Sequence, residues 1–523
     1  MSQTVDVRVP NSPNTSPVHA PRWRKRQRGQ VVVMFAGAIL VFVGLLAVVV
    51  DVSWYWANSL KVQRAADAAA LAGVVWLPSQ PSTAASVATT EASRNGYTNG
   101  SGGVSVSAVQ DSGDPNQLDV TLSAPVQTFF MRVFGINTLQ ATRTAHAVYV
   151  LPVPMGSPLN VFGYPGAQDL VGNRLNFWAA IQGTNTAKEN GDPYATKVMQ
   201  PDGSSNPQYV APSTGDPGPY NYAISVPPGV TSPITVSLYD PEFCARNGQQ
   251  DDTGDSVNLY PGGGGSTINT TFTLYNVNPQ PLNFDMAGTP LASTAYPTSC
   301  SSQYVSYDWN TGDYVGKWLP FYTITSPQTG IYRLNVQTSG YGNGSNQFSI
   351  KAVAGSGGGT QPQIYGLGSM SIFANMNSGV TNLYMAQIAA IHAGKTMEIR
   401  LFDPGDANGN AYMQFLMPTA TGYTAVPFRW YDAGTNDSNV SIPYPLPNQS
   451  TTTPNGPGIV TTSSGHRYFN GHWLVVDIPI PSNYTAPQNG WWKVAYTYYG
   501  GAAHDRTTWK VTIRGNPVHL VVP

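Results

Sequence analysis

Val31–Val50 reads VVVMFAGAILVFVGLLAVVV, twenty residues without a charge or a strongly polar group. Wound as a helix at ~1.5 Å per residue it is ~30 Å long, the thickness of a bilayer's hydrocarbon. Asp51 ends the run, and Trp54, Tyr55 and Trp56 follow at the depth of an interfacial aromatic belt. On the other side Arg22, Arg24, Lys25, Arg26 and Arg28 fall within seven positions, with no acid among them. That asymmetry predicts a cytoplasmic N-terminus, with the remainder extracytoplasmic or at the cell surface. A cleaved secretory signal has a shorter apolar core, ~7–15 residues, followed by a small-residue cleavage site. Here the run is longer and leads into bulky aromatics, so an uncleaved single-pass anchor is expected.

Before the run, residues 1–29 carry Pro10, Pro13, Pro17 and Pro21 and read as a disordered basic cytoplasmic tail. After it, Ser59–Leu77 (SLKVQRAADAAALAGVVWL) is alanine-rich, with Gly73 its only breaker before Pro78. One helix over 30–77 is therefore expected to carry the anchor into the extracytoplasmic space. Its Ala65, Ala66, Ala68 and Ala69 either let a second backbone approach closely or lie on the chain's own domain.

The string RGQVVVMFAGAILVFVGLLAVVVDVSWYWANSLKVQRAADAAALAG (Arg28–Gly73) resembles the N-terminal segment of TadG-like (TadE/G-like) proteins of tight-adherence (Flp) pilus systems. The shared pattern is a basic residue and Gly before the span, Asp-Val at its outer end, an aromatic-containing turn and QRAADAAALAG. The resemblance continues through Asn95-Gly96-Tyr97, Thr128-Phe129-Phe130 and Thr142–Val150, and so covers about 22–150. It implies a membrane-anchored accessory protein whose partners are the lipid bilayer and pilus or secretion-machine proteins. Two departures limit it. Met34 stands five residues after Gly29, where processed prepilins place Glu, so pilin-type cleavage is not implied. Asp51-Val52-Ser53-Trp54-Tyr55 lacks the Asp-x-Ser-x-Ser of the metal-binding adhesion domain that many TadG-like proteins carry.

Composition narrows the rest. Of 523 residues, 41% are hydrophobic and 11% aromatic, ample for a core, while only 10% are charged. The low charge points to a β-rich exterior covered by Ser, Thr and Asn. A net charge of −1 disfavours a nucleic-acid-binding surface. Glutamate occurs only as Glu91, Glu189, Glu242 and Glu398, little material for paired-carboxylate catalysis. No Gly-x-Ser-x-Gly elbow, His-Glu-x-x-His helix or nucleotide fingerprint appears, so no catalytic residues and no enzyme activity are expected.

Residues 78–150 read as a small α+β, pilin-like unit: a helix over Ser82–Arg94, strands at Val104–Val109, Leu118–Leu122 and Ala141–Val150, and a helical turn at Thr128–Phe134. From there short β-branched and aromatic runs, split by Gly, Pro, Asn and Asp, predict an all-β sandwich. The fold class expected is thus a membrane-anchored, mainly β protein. Self-similarity divides its β region into two tandem duplicated β-sandwich domains, 151–354 (with an inserted loop) and 364–523, joined by a Gly-rich linker at 355–363. Leu238-Tyr239-Asp240-Pro241 matches Leu401-Phe402-Asp403-Pro404, and Trp318-Leu319 matches Trp473-Leu474. Gly330-Ile331-Tyr332 matches Gly490-Trp491-Trp492, and Phe348-Ser349-Ile350 matches Trp509-Lys510-Val511. Trp178-Ala179-Ala180, following Asn176-Phe177, matches Phe373-Ala374-Asn375.

Alternation places Tyr332, Leu334 and Val336, and likewise Trp492, Val494 and Tyr496, inward; repeated Trp318 and Trp473 read as core. Trp491 falls on the outward face with Tyr498 and Tyr499 at the strand end, aromatics on which a sugar ring can stack. Asp403, Asp406, Asn408 and Asn410 alternate as hard oxygen donors for calcium, the one cofactor weighed, and Asp251, Asp252 and Asp255 are a weaker set. Asp-Pro and Asn-Gly strings also form turns without metal. Cys244 and Cys300 can pair as a disulfide in an extracytoplasmic domain or stay as buried thiols. Three functions follow: a pilus-system accessory protein making protein contacts, a cell-surface adhesin or carbohydrate-binding protein for glycans, and a membrane-tethered hydrolase.

Overall fold

Helix α1 runs unbroken from Gln27 to Val74 in the computed structural model. The model describes residues 27–77, 80–114, 116–149, 153–163, 170–171, 174–175, 178–194, 219–243, 255–258, 268–277, 289–297, 318–340, 342–407, 409–434, 458–463, 466–514 and 518–521. The chain is mainly β, with this one long apolar helix near its N-terminus. Val31–Val50 is exposed around its whole circumference apart from a half-covered Ala47. Beyond Asp51 the helix acquires a buried stripe, Ser59, Val62, Ala65, Ala66 and Ala69, at the three- and four-residue steps that bring side chains to one face. The alanine face is therefore taken by the chain itself.

Two compact units divide the chain: 1–69 with 88–108 and 120–145, and 70–87 with 109–119 and 146–523. In the first, the buried stripe of α1 meets a small sheet. Helix α2 spans Pro81–Arg94, and strands β1 (Ser105–Gln110), β2 (Gln117–Gln127) and β3 (Thr138–Tyr149) are neighbours in that order. β2 alternates strictly, burying Val120, Leu122, Ala124 and Val126. Ala88 and Ala92 of α2 and Ala141 and Ala145 of β3 complete the core. The elements read from sequence over 78–150 are all present, β2 extending five residues further than expected.

The second unit is a network of paired strands. Those that position the features below are β4 (Trp178–Gln182), β5 (Asn221–Val226), β6 (Ile234–Tyr239), β7 (Ile268–Tyr275), β8 (Trp318–Ile324), β9 (Gly330–Gly340), β10 (Asn343–Ala354), β11 (Gln363–Gly366), β12 (Met370–Gln387), β13 (Thr396–Phe402), β14 (Asn410–Thr419), β15 (Trp473–Pro479) and β16 (Trp491–Ile513). β6 lies between β8 and β10, with Tyr239 opposite Trp318 and Leu238 opposite Leu319 and Ile350. β13 lies between β15 and the far half of β16, with Phe402 opposite Trp473 and Leu401 opposite Leu474 and Trp509. Counted from Leu238 and Leu401, Ile350 corresponds to Trp509, two residues from the sequence match, a shift that keeps the same face because the side-chain period is two. β9 runs between β5 and β7, as the near half of β16 runs between β12 and β14. Asp240 and Asp403 both adopt left-handed backbone, φ 51° and 52°, rare for non-glycine residues.

The stretches flanking the Gly-rich segment are interleaved. Gly355 donates its N–H to Pro233, and Gln361 brackets Ala354, donating to its carbonyl and accepting from its N–H. β11 then returns to pair with β5, so residues 355–363 make a turn within the network. β4 and β12, carriers of the matched Trp178 and Phe373, are antiparallel neighbours, Phe373 opposite Trp178. Asn176 and Phe177 lie outside the described residues. Val236, Leu238, Leu334, Val336, Ile399, Leu401, Trp473, Trp492 and Val494 all belong to one continuous hydrophobic cluster.

Gly490 gives this core a sharp test. Its φ is +74°, and a Cβ there would lie 2.1 Å from the Ile388 carbonyl oxygen. Gly490→Ala is expected to cost roughly 2–4 kcal/mol, combining left-handed strain with a backbone clash. A chemical-denaturation midpoint equal to the wild type's would contradict that packing.

Candidate functional site

Asp51 is 2% exposed and accepts three backbone N–H groups, from Phe129 (2.7 Å), Phe130 (2.9 Å) and Met131 (2.7 Å). These donors open a 3-10 turn, Met131–Phe134, on the connection from β2 to β3. The first N–H groups of any helical turn lack internal acceptors, and a carboxylate satisfies several at once with charge-assisted bonds. The connection is closed on itself by Thr128, whose N–H and hydroxyl reach the carbonyls of Asn137 (3.1 Å) and Ile136 (2.5 Å). Gly135, at φ 81°, returns the chain. Further along α1, Trp54 meets Phe129 edge-on at 5.4 Å, Tyr55 donates to the Gln140 carbonyl (3.3 Å) and Gln63 to that of Thr144 (3.2 Å). The helix and its sheet are thus tied at successive levels starting one residue past the apolar run. In sequence Asp51 marks only the end of that run. A lone acid at the edge of an apolar span was the available signal, since such a charge is retained where it has a partner.

A second cluster of acids lies in the β network. Asp403 follows β13; its Oδ1 accepts the Gly471 N–H (2.9 Å), and its buried Oδ2 has no hydrogen-bond donor among the described residues. Asp406 pairs with Arg467 at 3.0 Å. Asp505, fully buried on β16, accepts from the backbone of Gly405 (3.1 Å) and Asp406 (3.2 Å) and from the Tyr496 hydroxyl (2.9 Å). Burial, then the neighbouring charge of Asp406, pushes Asp505 up to about 7, and the same two causes raise Asp403. Burial likewise lifts Asp406, against Arg467 and Arg506, and pushes Asp192, which Tyr220 and the Tyr194 N–H contact, up to about 6.

The structure brings the charges of Asp403 and Asp406 together. Asn410 is exposed at the start of β14, opposite Tyr499, and Asn408 lies outside the described residues. Asp255 instead accepts the Gln347 N–H at 2.6 Å, and Asp251 and Asp252 lie outside the described residues. Among the described residues no three His, Cys, Asp or Glu side chains converge on a point that could hold a metal ion. The cluster is organised by Asp505, Tyr496 and backbone N–H groups, none of which the sequence singled out for this role.

The aromatic positions require a correction. Trp491 is 2% exposed, and Tyr498 is as deeply buried; only Tyr499, 56% exposed and 6.3 Å from Tyr412, faces solvent. Alternation failed here because the strand is covered on both faces: Tyr384 meets Trp491 edge-on at 6.1 Å. The matched Ile331 is buried in an outer cluster with Ala223, Tyr365 and Leu367. Trp491 borders a cleft of about 1140 Å³ that Tyr365, Gln387 and His392 also line. Trp492, Val494, Tyr496 and Trp473 are buried as expected, whereas Trp318 is half-buried beneath Lys351, whose ammonium sits 4.2 Å from its ring centroid. Cys244 and Cys300 lie outside the described residues.

Residues 29–85 match the Flp pilus-assembly TadE/G-like family, a stretch containing the apolar run, Asp51 and the alanine stripe. No curated protein matches the chain. Among solved structures, one similar chain is the N-terminal CBM22-1–CBM22-2 tandem domain of Xyn10C from Paenibacillus barcinonensis, at 8% identity over 79% of this chain and 92% of that one, with a TM-score of 0.14. Another is from the infectious bursal disease virus Gx strain, at 8% identity over 70% of this chain and 71% of that one, with a TM-score of 0.12.

Proposed function

We propose that this chain is a single-pass, membrane-anchored accessory protein of a bacterial tight-adherence (Flp) pilus or a related surface-assembly system. The TadE/G-like match over residues 29–85 carries the reading. Support comes from the fully exposed apolar half of α1, the length of a bilayer core, and from Asp51 fixing a folded sheet beside the helix where that half ends. In this reading the basic tail lies in the cytoplasm and the β network outside, where it makes protein contacts. No catalytic role is assigned. Cross-linking in native membranes, followed by affinity purification of the full-length chain and mass spectrometry, should recover pilus-assembly proteins. Recovery of none of them, with the chain intact and membrane-bound, would overturn the proposal. Protease added to spheroplasts should digest the β network, and its protection would reverse the topology.

A further inference from the structure

The connection between β2 and β3 exposes more large apolar side chains than its length accounts for. Thr128–Asn137 reads TFFMRVFGIN. Val133 and Phe134 are 80% and 83% exposed, and Phe129, Phe130 and Ile136 are also largely in the open. Arg132, the one charge in the stretch, is exposed, its Nε donating to the Thr128 carbonyl at 3.0 Å. An aqueous loop tip is normally polar, and a contiguous apolar tip marks a surface that something apolar covers.

We propose that this connection is a second membrane contact, a wedge that buries Phe129, Phe130, Val133 and Phe134 in the outer leaflet of the bilayer that α1 spans. The inference rests on the anchored reading of α1. Depth is the first argument. The Asp51 carboxylate holds the backbone of Phe129, Phe130 and Met131, and Val50 is the last residue of the apolar run. The loop backbone is therefore held by the residue that directly follows the span. Continuity is the second. Exposed Trp54 on α1 meets Phe129 edge-on, so the loop's apolar surface extends the lipid-facing surface of the helix. Charge is the third: an exposed guanidinium among aromatics suits the phosphate level of a leaflet, where Trp and Arg partition together. Two contacts from one rigid unit would hold the small sheet at a fixed height and tilt, which a single helix does not.

The test uses the full-length protein in phosphatidylcholine/phosphatidylglycerol vesicles with benzoylphenylalanine at one position at a time. Leu40 reports the anchor; Thr144, exposed on β3 at the level of Gln63 and ~18 Å further along the helix, reports water. Irradiation should yield lipid adducts at Phe134 comparable with those at Leu40 and about tenfold above those at Thr144. Adducts at Leu40 but none at Phe134 would overturn the wedge and leave the anchor standing. Their absence at both would overturn the anchored reading, and the wedge with it. Cross-linking of Phe134 to a second copy of the chain in place of lipid would make the tip a protein interface and also overturn the proposal. Because Phe134 is 83% exposed, the substitution leaves folding intact.

Discussion

Asp51→Ala is expected to detach the turn at Phe129–Met131 from helix α1 and lower the local stability of the first unit by about 4 kcal/mol. Three charge-assisted hydrogen bonds are lost, each worth ~1.5–3 kcal/mol but not additive, and the three backbone N–H groups lose their acceptor. Hydrogen exchange of the full-length chain in lipid nanodiscs reads this directly: amides of residues 129–131 should exchange about a thousandfold faster, since 1.4 kcal/mol is a factor of ten. Asp51→Asn, which keeps one carbonyl acceptor but loses the charge, should fall between. Unchanged exchange over the β2–β3 connection in the alanine variant would show that the clamp is dispensable. The buried alanine stripe of α1 should hold that helix on its sheet in either variant, so the effect is confined to the end nearest the apolar run.

The second large effect is a loss of stability as pH rises. Asp505 and Asp192 hold their protons more tightly folded than unfolded, with folded values of about 7 and about 6 against an unfolded 3.8. Their contribution is fully present below the unfolded value and is lost progressively as the pH climbs to the folded ones. For Asp505 alone that amounts to roughly 4 kcal/mol. Glu398 opposes at the acid end. Although burial pulls it up, Arg400 and Arg514 hold it below its usual 4.5, so its contribution is lost as the solution becomes more acidic. The thermal midpoint of the β network should therefore be highest near about pH 4 and fall towards pH 8. Asp505→Asn is neutral like the protonated acid and keeps one carbonyl oxygen, enough to accept from the N–H of Gly405 or of Asp406 but not from both. Its midpoint should fall less between about pH 4 and pH 8 than the wild type's, because the group that titrates is gone. A wild-type midpoint that rises from pH 5 to pH 8 would refute the assignment.

Features that depend on neighbours in sequence were legible before any coordinates. Twenty apolar residues demand a bilayer or a core to cover them, alanines carry the helix past Asp51, and period-two alternation marks β2 and the inward faces of β9 and β16. What escaped were contacts between distant residues. Trp491 looked outward because alternation counts two faces and assumes that one meets water; here a second layer covers both. Spacing along the chain gathers four oxygen donors after β13 but says nothing of what else comes to them in space. Folding turned Asn410 to solvent and brought in Asp505 from about a hundred residues away. Local chemistry along the chain determined the long apolar helix and the mainly β character. Tertiary structure alone decided that Asp51 grips a turn 78 to 80 residues away, that strands on either side of the Gly-rich segment pair, and that apolar side chains at 129–134 stay uncovered. Hydrogen-bond partners and burial are properties of which segments meet, and sequence periodicity carries no information about the segment on the other side.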